Sequence, residues 1–210
     1  IQDASAGPPS PTSASPVELS VPEGEPNQTI DVATTISPSP EETWTLLEDF
    51  RRMSRCIPGL ELDTDHGEDT YSGSVQVSLG PMLLNFAGAA RVLERDGRRR
   101  TLHAIAAGRD VSGSGVRADL TVSAEPAAGG TSVRAHAKLY LSGRAAQFGR
   151  AIAGDVSRQL FTEFGACVER TLTTGVVAKP QRMAGGALAW RLLRTRVRSL
   201  TRRLTRRNAG

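Results

Sequence analysis

Aromatic residues are scarce in this 210-residue chain: two Trp, two Tyr and five Phe, 4% in all. Few of the large rings that usually dominate a core are on hand, so its interior must rely on aliphatic and small side chains. Cysteine is scarcer still. Cys56 and Cys167 are too few for the disulfide framework of a small secreted module. They read as reduced thiols in or near the core of a chain long enough to bury one. No run reaches the roughly 18 apolar residues of a membrane-spanning helix. The opening residues are polar and proline-rich, not basic and then apolar as in a secretory signal. His66, His103 and His136 stand far apart, with no Cys or carboxylate at ligand spacing, so no metal site is expected. "GSGVRA" (113–118) fits G-x-G-x-x-A in form only, because no helix follows it. Cys56 has no motif-placed base, so it reads as a packing thiol and no catalytic residue is assigned.

The most informative absence is acidic. Glu169 is the last carboxylate, and ten Lys and Arg follow it between 174 and 210. The net charge of +4 therefore divides into a mildly acidic body and a strongly basic tail, a split that points to an anionic partner for the tail.

What is present has a clear order. Residues 1–27 hold six of the twelve prolines among Ser, Ala and Gly, too little apolar surface to offset ordering, and read as a disordered leader. "QTIDVATTI" (28–36) alternates as a half-buried strand. In "SPEETW", Ser39, Pro40 and Glu42 form a helix start with a capping box. A second short helix, "RRMSRC", stops at Pro58 and Gly59. Six more strands follow up to Gly143, with turns at "RDGR" and "AAGG". One of them puts Leu84, Phe86, Gly88, Ala90 and Val92 on a single face. Phe148, Ile152, Val156, Leu160, Phe164 and Cys167 then recur every three or four residues, predicting one long helix over 145–173.

The expected fold is α+β: a seven-stranded antiparallel curved sheet wrapped on a long C-terminal helix. If bulky side chains do not fill the space between them, that space is a pocket. The wall is rich in small residues: Gly73, Ala87, Gly88, Ala89, Ala90, Ala104, Ala106, Ala107, Gly108 and Gly113. Candidate lining residues are Trp44, Ile57, Leu79, Leu84, Phe86, Phe148, Ile152, Leu160 and Phe164.

Three stretches carry a family resemblance: "SPEETWTLLEDFRRMSRCIPGLE" (39–61), "TYSGSVQVSLGPMLLNFAGAARVLERD" (70–96) and "LSGRAAQFGRAIAGDVSRQLFTEFGACV" (141–168). "CIPG", "GPMLLNFAG" and "AQFG" together resemble the carbon monoxide dehydrogenase G-subunit (CoxG) family, within the START/polyketide-cyclase-like helix-grip superfamily (SRPBCC, Bet v 1-like). The match covers 28–173. It implies the helix-grip fold and an accessory role beside a molybdenum hydroxylase at the cytoplasmic membrane. It also implies a quinone held in the grip and passed to the enzyme, with no redox catalysis by the chain itself. The family's basic C-terminal extension is matched in character only.

After a linker at 174–187, residues 188–207 read as a separate amphipathic helix. At about 100° per residue, Trp190, Leu193, Val197, Leu200 and Leu204 fall within an arc of roughly 80°, while Arg191, Arg194, Arg198, Arg202 and Arg206 lie on the other side. Such a helix suits an anionic membrane surface, apolar face down. A docking tail for a protein partner is the second reading. Nucleic acid is the weakest, since it needs no apolar stripe.

The leading expectation is thus a peripheral protein on the cytoplasmic side of the cell membrane. It would carry a menaquinone-like or other isoprenoid ligand, with no covalent cofactor, to a carbon monoxide dehydrogenase-like complex. The alternatives are a cyclase or hydratase using Asp110, His103 or Tyr140, and a recruiting scaffold with no ligand.

Overall fold

The computed structural model describes residues 19–79, 82–148 and 152–176. The leader up to residue 18, nearly all of the linker and the basic helix with every anchor residue named above lie outside the described residues. Residues 19–27 have no regular structure and run beside the last strand, where the Tyr140 hydroxyl donates to the Gly24 carbonyl at 3.2 Å.

Alternation sets the first element, β1 (Gln28–Ile36), whose inward residues end in the buried Ile36. The capping box forms as expected at α1 (Pro40–Leu47). Ser39 Oγ accepts from Glu42 N at 3.3 Å, and Glu42 Oε2 accepts from Ser39 N at 3.0 Å. Asp49 caps the short α2 (Phe50–Ser54), accepting from Arg52 N at 3.1 Å. Six strands follow: β2 (Leu60–Gly67), β3 (Thr70–Leu79), β4 (Met82–Asp96), β5 (Thr101–Asp110), β6 (Gly115–Ala127) and β7 (Gly130–Ser142). All pairings are antiparallel, in the order β1-β7-β6-β5-β4-β3-β2. The first two strands of the chain thus lie at opposite edges, and the inner face can curl around a helix.

That helix is shorter than the apolar spacing implied. A single turn, α3 (Arg144–Gln147), is followed by a π-type turn at Ile152–Val156, and the regular helix α4 runs only from Ser157 to Thr174. Gly154 leaves helical values, at φ −101° and ψ −123°. Glycine has no Cβ to hold it in the helix. The three-or-four spacing survives the break, because periodicity reports which face is apolar, not whether the backbone ladder is continuous. At 1.5 Å per residue, α4 is roughly 27 Å long.

Two apolar clusters occupy the inner face. The larger joins α1 and α2 (Trp44, Leu46, Leu47, Phe50, Met53) to Val92, Leu102, Val122 and Val133 of the sheet and to Phe164 and Val168 of α4. The smaller, at the other end, joins Leu84, Phe86, Leu141 and Ala145. Burying each large aliphatic side chain contributes about 1.5–3 kcal/mol.

Cys56 and Cys167 are not free thiols. Their sulfurs are bonded, with Cα atoms 5.3 Å apart and 111 residues between them in sequence. Two cysteines do exclude a framework, but not a single staple. The pairing arises from α4 folding back over the corner after α2, which no local spacing encodes.

Candidate functional site

Strand register aligns the small residues of the inner face into a band between the two clusters. One row runs Gly73, Gly88, Gly108 and Val116 across β3, β4, β5 and β6. The next runs Tyr71, Ala90, Ala106, Ala118 and Leu139. At Gly73 and Gly88 the twisted neighbouring strand comes so close that a Cβ would collide with the carbonyl oxygens of Glu61 and Ala107. Only glycine fits there. Ala90, Ala106 and Ala118 stay half-buried, as do the larger residues bordering the band, Val75, Val116, Leu120 and Leu139.

Helix α4 makes its most extensive contact with the sheet at β1. A close approach occurs at Gly165, where a Cβ would stand 2.5 Å from Thr34 Cγ2. Glu169 Oε1 accepts from Ser37 N at 3.0 Å, and hydrogen bonding to Ser37, from its side chain first and then its backbone, lowers the Glu169 carboxyl below its usual range. The disulfide fixes the same end of α4 to Cys56. The helix is thus gripped along one edge of the sheet, while the small-residue band lies on β3–β6.

The lining residues expected from sequence divide among these regions. Trp44 and Phe164 are buried in the larger cluster, and Ile57 packs against it. Leu84 and Phe86 are buried in the smaller cluster, and Phe148 packs against that. Leu160 is half-buried on α4. The side chains of Leu79 and Ile152 lie outside the described residues. The described candidates therefore flank the band from both ends and do not ring one point. Val75, Val116, Leu120 and Leu139 border it more directly. Sequence reasoning misses them because they are identifiable only from register, and a one-residue slip sends a strand residue to the other face. Of the small residues, Ala87, Ala89 and Ala107 alternate onto the outer face, and Gly113 sits in the β5–β6 turn at φ +83°. Ala104 faces inward but belongs to the larger cluster.

The three polar candidates for chemistry are separated. His103 lies on the outer face, 2.7 Å from Asp119 through Nε2. Tyr140 is also on the outer face, under the Arg117 guanidinium at 5.7 Å. Asp110 closes the β5–β6 turn. Its carboxylate accepts from Ser112 N at 2.8 Å and from Asn85 N at 3.0 Å. The bonds to Ser112, then Asn85, hold its carboxyl below the usual range. A carboxylate so engaged is a turn clamp. A second clamp has no sequence signal: Arg95 binds Asp69 through both terminal guanidinium nitrogens, at 2.5 and 2.9 Å, and donates from Nε to the Glu48 carbonyl. It ties the β2–β3 turn to the end of α1, and the Asp69 bond raises the Arg95 pKa.

The surface of the described residues carries several grooves, three of which are the best formed. One of about 230 Å³ lies beside Arg51, Leu62 and Tyr71. A second of about 100 Å³ lies at Arg55, Cys167 and Arg170. A third of about 370 Å³ lies at Asp31, Arg134 and His136. None of the three is lined by the Gly88–Ala106–Ala118 band. Among the described residues there is no cluster of metal-ligating side chains, and no helix is long and apolar enough to cross a membrane.

Comparison with known proteins gives a family. The model of the carbon monoxide dehydrogenase G-subunit (CoxG) family matches residues 33–173. No curated protein matches the sequence significantly. Among solved structures, a conserved protein from Geobacillus kaustophilus superposes with TM-score 0.60 at 19% identity, covering 70% of this chain and 95% of that one. A protein from Thermus thermophilus gives 0.50 at 13% identity, covering 70% and 98%. The Zhui aromatase/cyclase from a Streptomyces species gives 0.49 at 12% identity, covering 76% and 99%. At these identities the structural likeness speaks to fold alone, and the fold is the helix grip.

Proposed function

Since the chain belongs to the carbon monoxide dehydrogenase G-subunit (CoxG) family, we propose that it is a non-catalytic accessory protein. In this reading it holds an apolar, menaquinone-like isoprenoid in its grip and presents it to a molybdenum hydroxylase at the cytoplasmic face of the membrane. The observation that carries the ligand part is the band of Gly and Ala on β3–β6. Half-buried aliphatic side chains border it, and α4 is held away toward β1. A flat ring or prenyl chain laid there would meet apolar walls and few competing side chains, as in most small-molecule sites. The redox chemistry belongs to the partner. This chain contributes exclusion of water, orientation and proximity. The wide separation of Asp110, His103 and Tyr140 gives the cyclase reading no support.

The membrane part rests on the sequence of 188–207, whose apolar stripe and arginines suit an anionic leaflet. The ligand part is tested by titrating the full chain with a short-chain menaquinone and following quenching of tryptophan fluorescence. Saturable binding that Ala106→Phe abolishes supports it. Absence of binding by the native chain rejects it and leaves a scaffold.

A further inference from the structure

We infer that the Cys56–Cys167 bridge is a thiol-exchange site whose reduction loosens α4, and so regulates access to the proposed ligand band. The access clause rests on the function proposed above; the exchange chemistry does not. The two sulfurs are unequally placed. Cys56 is buried, 4% exposed, whereas Cys167 is half-buried; both line a groove with Arg55, Ile57, Pro58, Glu163, Ala166 and Arg170. Cys167, the more exposed of the pair, is therefore the sulfur that an incoming thiolate meets first. Arg55 and Arg170 outnumber Glu163 around the groove, which favours the approach of an anion and stabilises thiolates.

The chemistry balances as ordinary exchange. A low-molecular-weight thiolate attacks Cys167 Sγ, the Cys56–Cys167 bond breaks, and a mixed disulfide forms on Cys167. Cys56 leaves as the thiolate. The Thr171 hydroxyl lies 3.7 Å from Cys56 Sγ and can donate to it. A second thiol equivalent displaces Cys167, taking the reductant to its disulfide and leaving two protein thiols once protonated. In all, two electrons pass from the reductant to the bridge.

The structural consequence follows from where the bridge sits. It joins the corner after α2 to the middle of α4, the helix gripped along the β1 edge of the sheet. Without it, the C-terminal half of α4 keeps the Glu169–Ser37 hydrogen bond and the packing of Phe164 and Val168. It loses the covalent tie that fixes its distance from the α1–α2 end. The helix then moves more freely at its β1 edge, and the space between it and the band on β3–β6 widens more often.

The test uses the full chain purified without reductant. The native protein should show no thiol reactive to iodoacetamide. Brief exposure to glutathione followed by peptide mapping should place the mixed disulfide on Cys167, not Cys56. Full reduction with dithiothreitol should speed amide exchange in 157–174 and in 50–58 by roughly tenfold or more, leaving β5–β7 unchanged. It should also speed uptake of the apolar fluorophore N-phenyl-1-naphthylamine. Cys56→Ala/Cys167→Ala should behave as the reduced form and ignore dithiothreitol. If that variant fails to fold, the dithiothreitol series on the native chain still decides. Two alkylatable thiols in the native protein, or α4 exchange unaltered by reduction, would overturn the proposal. Faster α4 exchange with no fluorophore uptake in either state would uphold the exchange site and reject the ligand reading.

Discussion

Gly165 shows how one missing side chain sets the distance between two elements. With no Cβ, α4 can lie against Thr34 of β1; with one, the methyl would stand 2.5 Å from Thr34 Cγ2. Gly165→Val should therefore cost about 1–3 kcal/mol, read as a lower urea midpoint with an unchanged slope. The disulfide is the strongest single tie at this scale. A cross-link closing a loop of 111 residues stabilises by up to about 4–5 kcal/mol. Asp110 makes a pH prediction. Its carboxyl lies below the ordinary range in the folded state, through Ser112 and then Asn85. Its contribution is therefore complete above the unfolded value, about pH 4, and is lost as pH falls through the folded one. Amide protection in the β5–β6 turn, taken relative to the intrinsic exchange rate at each pH, should fall below that pH, and Asp110→Asn should flatten the profile. Protection that is unchanged on acidification would contradict the assignment. At this scale, legibility follows locality. The Ser39–Glu42 capping box spans three residues and can be read directly. The Cys56–Cys167 and Arg95–Asp69 contacts depend on folding and cannot.

Among elements, the strands are the most legible because alternation is a short, repetitive signal. The span of β1 from Gln28 to Ile36 and the shared inward face of Leu84, Phe86 and Val92 both follow from it. The break before α4 is not legible, since Ile152 and Val156 keep the helical spacing across Gly154. Nor is the band, which exists only once β3–β6 are placed in register. If the band seats a ligand, filling it should uncouple binding from stability. Ala106→Phe places a ring in half-buried space and should leave the unfolding free energy within about 1 kcal/mol of the native value while abolishing menaquinone binding. A large loss of stability would instead mean that the band is already closely packed against α4. At the opposite end, Ser39→Ala should cost about 1 kcal/mol through the cap of α1, with no effect on binding.

For the whole molecule, the governing feature is the separation of charge. Every acidic residue lies at or before Glu169, and ten cations with no acid follow it from 174 onward. A mildly acidic folded body is in this way tethered to a strongly basic tail, and the net charge of +4 understates both. Vesicles containing phosphatidylglycerol should sediment the full chain. Removal of 187–210 should abolish this, and raised salt should weaken it as counterions screen the arginines. Undiminished sedimentation of the truncated chain would reject the tail as the anchor. The central claim, that the grip encloses an apolar guest, is tested most directly by extracting the protein from its native membranes under mild conditions and identifying bound lipid by mass spectrometry. The account predicts a stoichiometric isoprenoid quinone released on unfolding and missing from the Ala106→Phe variant. An empty native protein, or one retaining only bulk phospholipid at the same level in both forms, would contradict it.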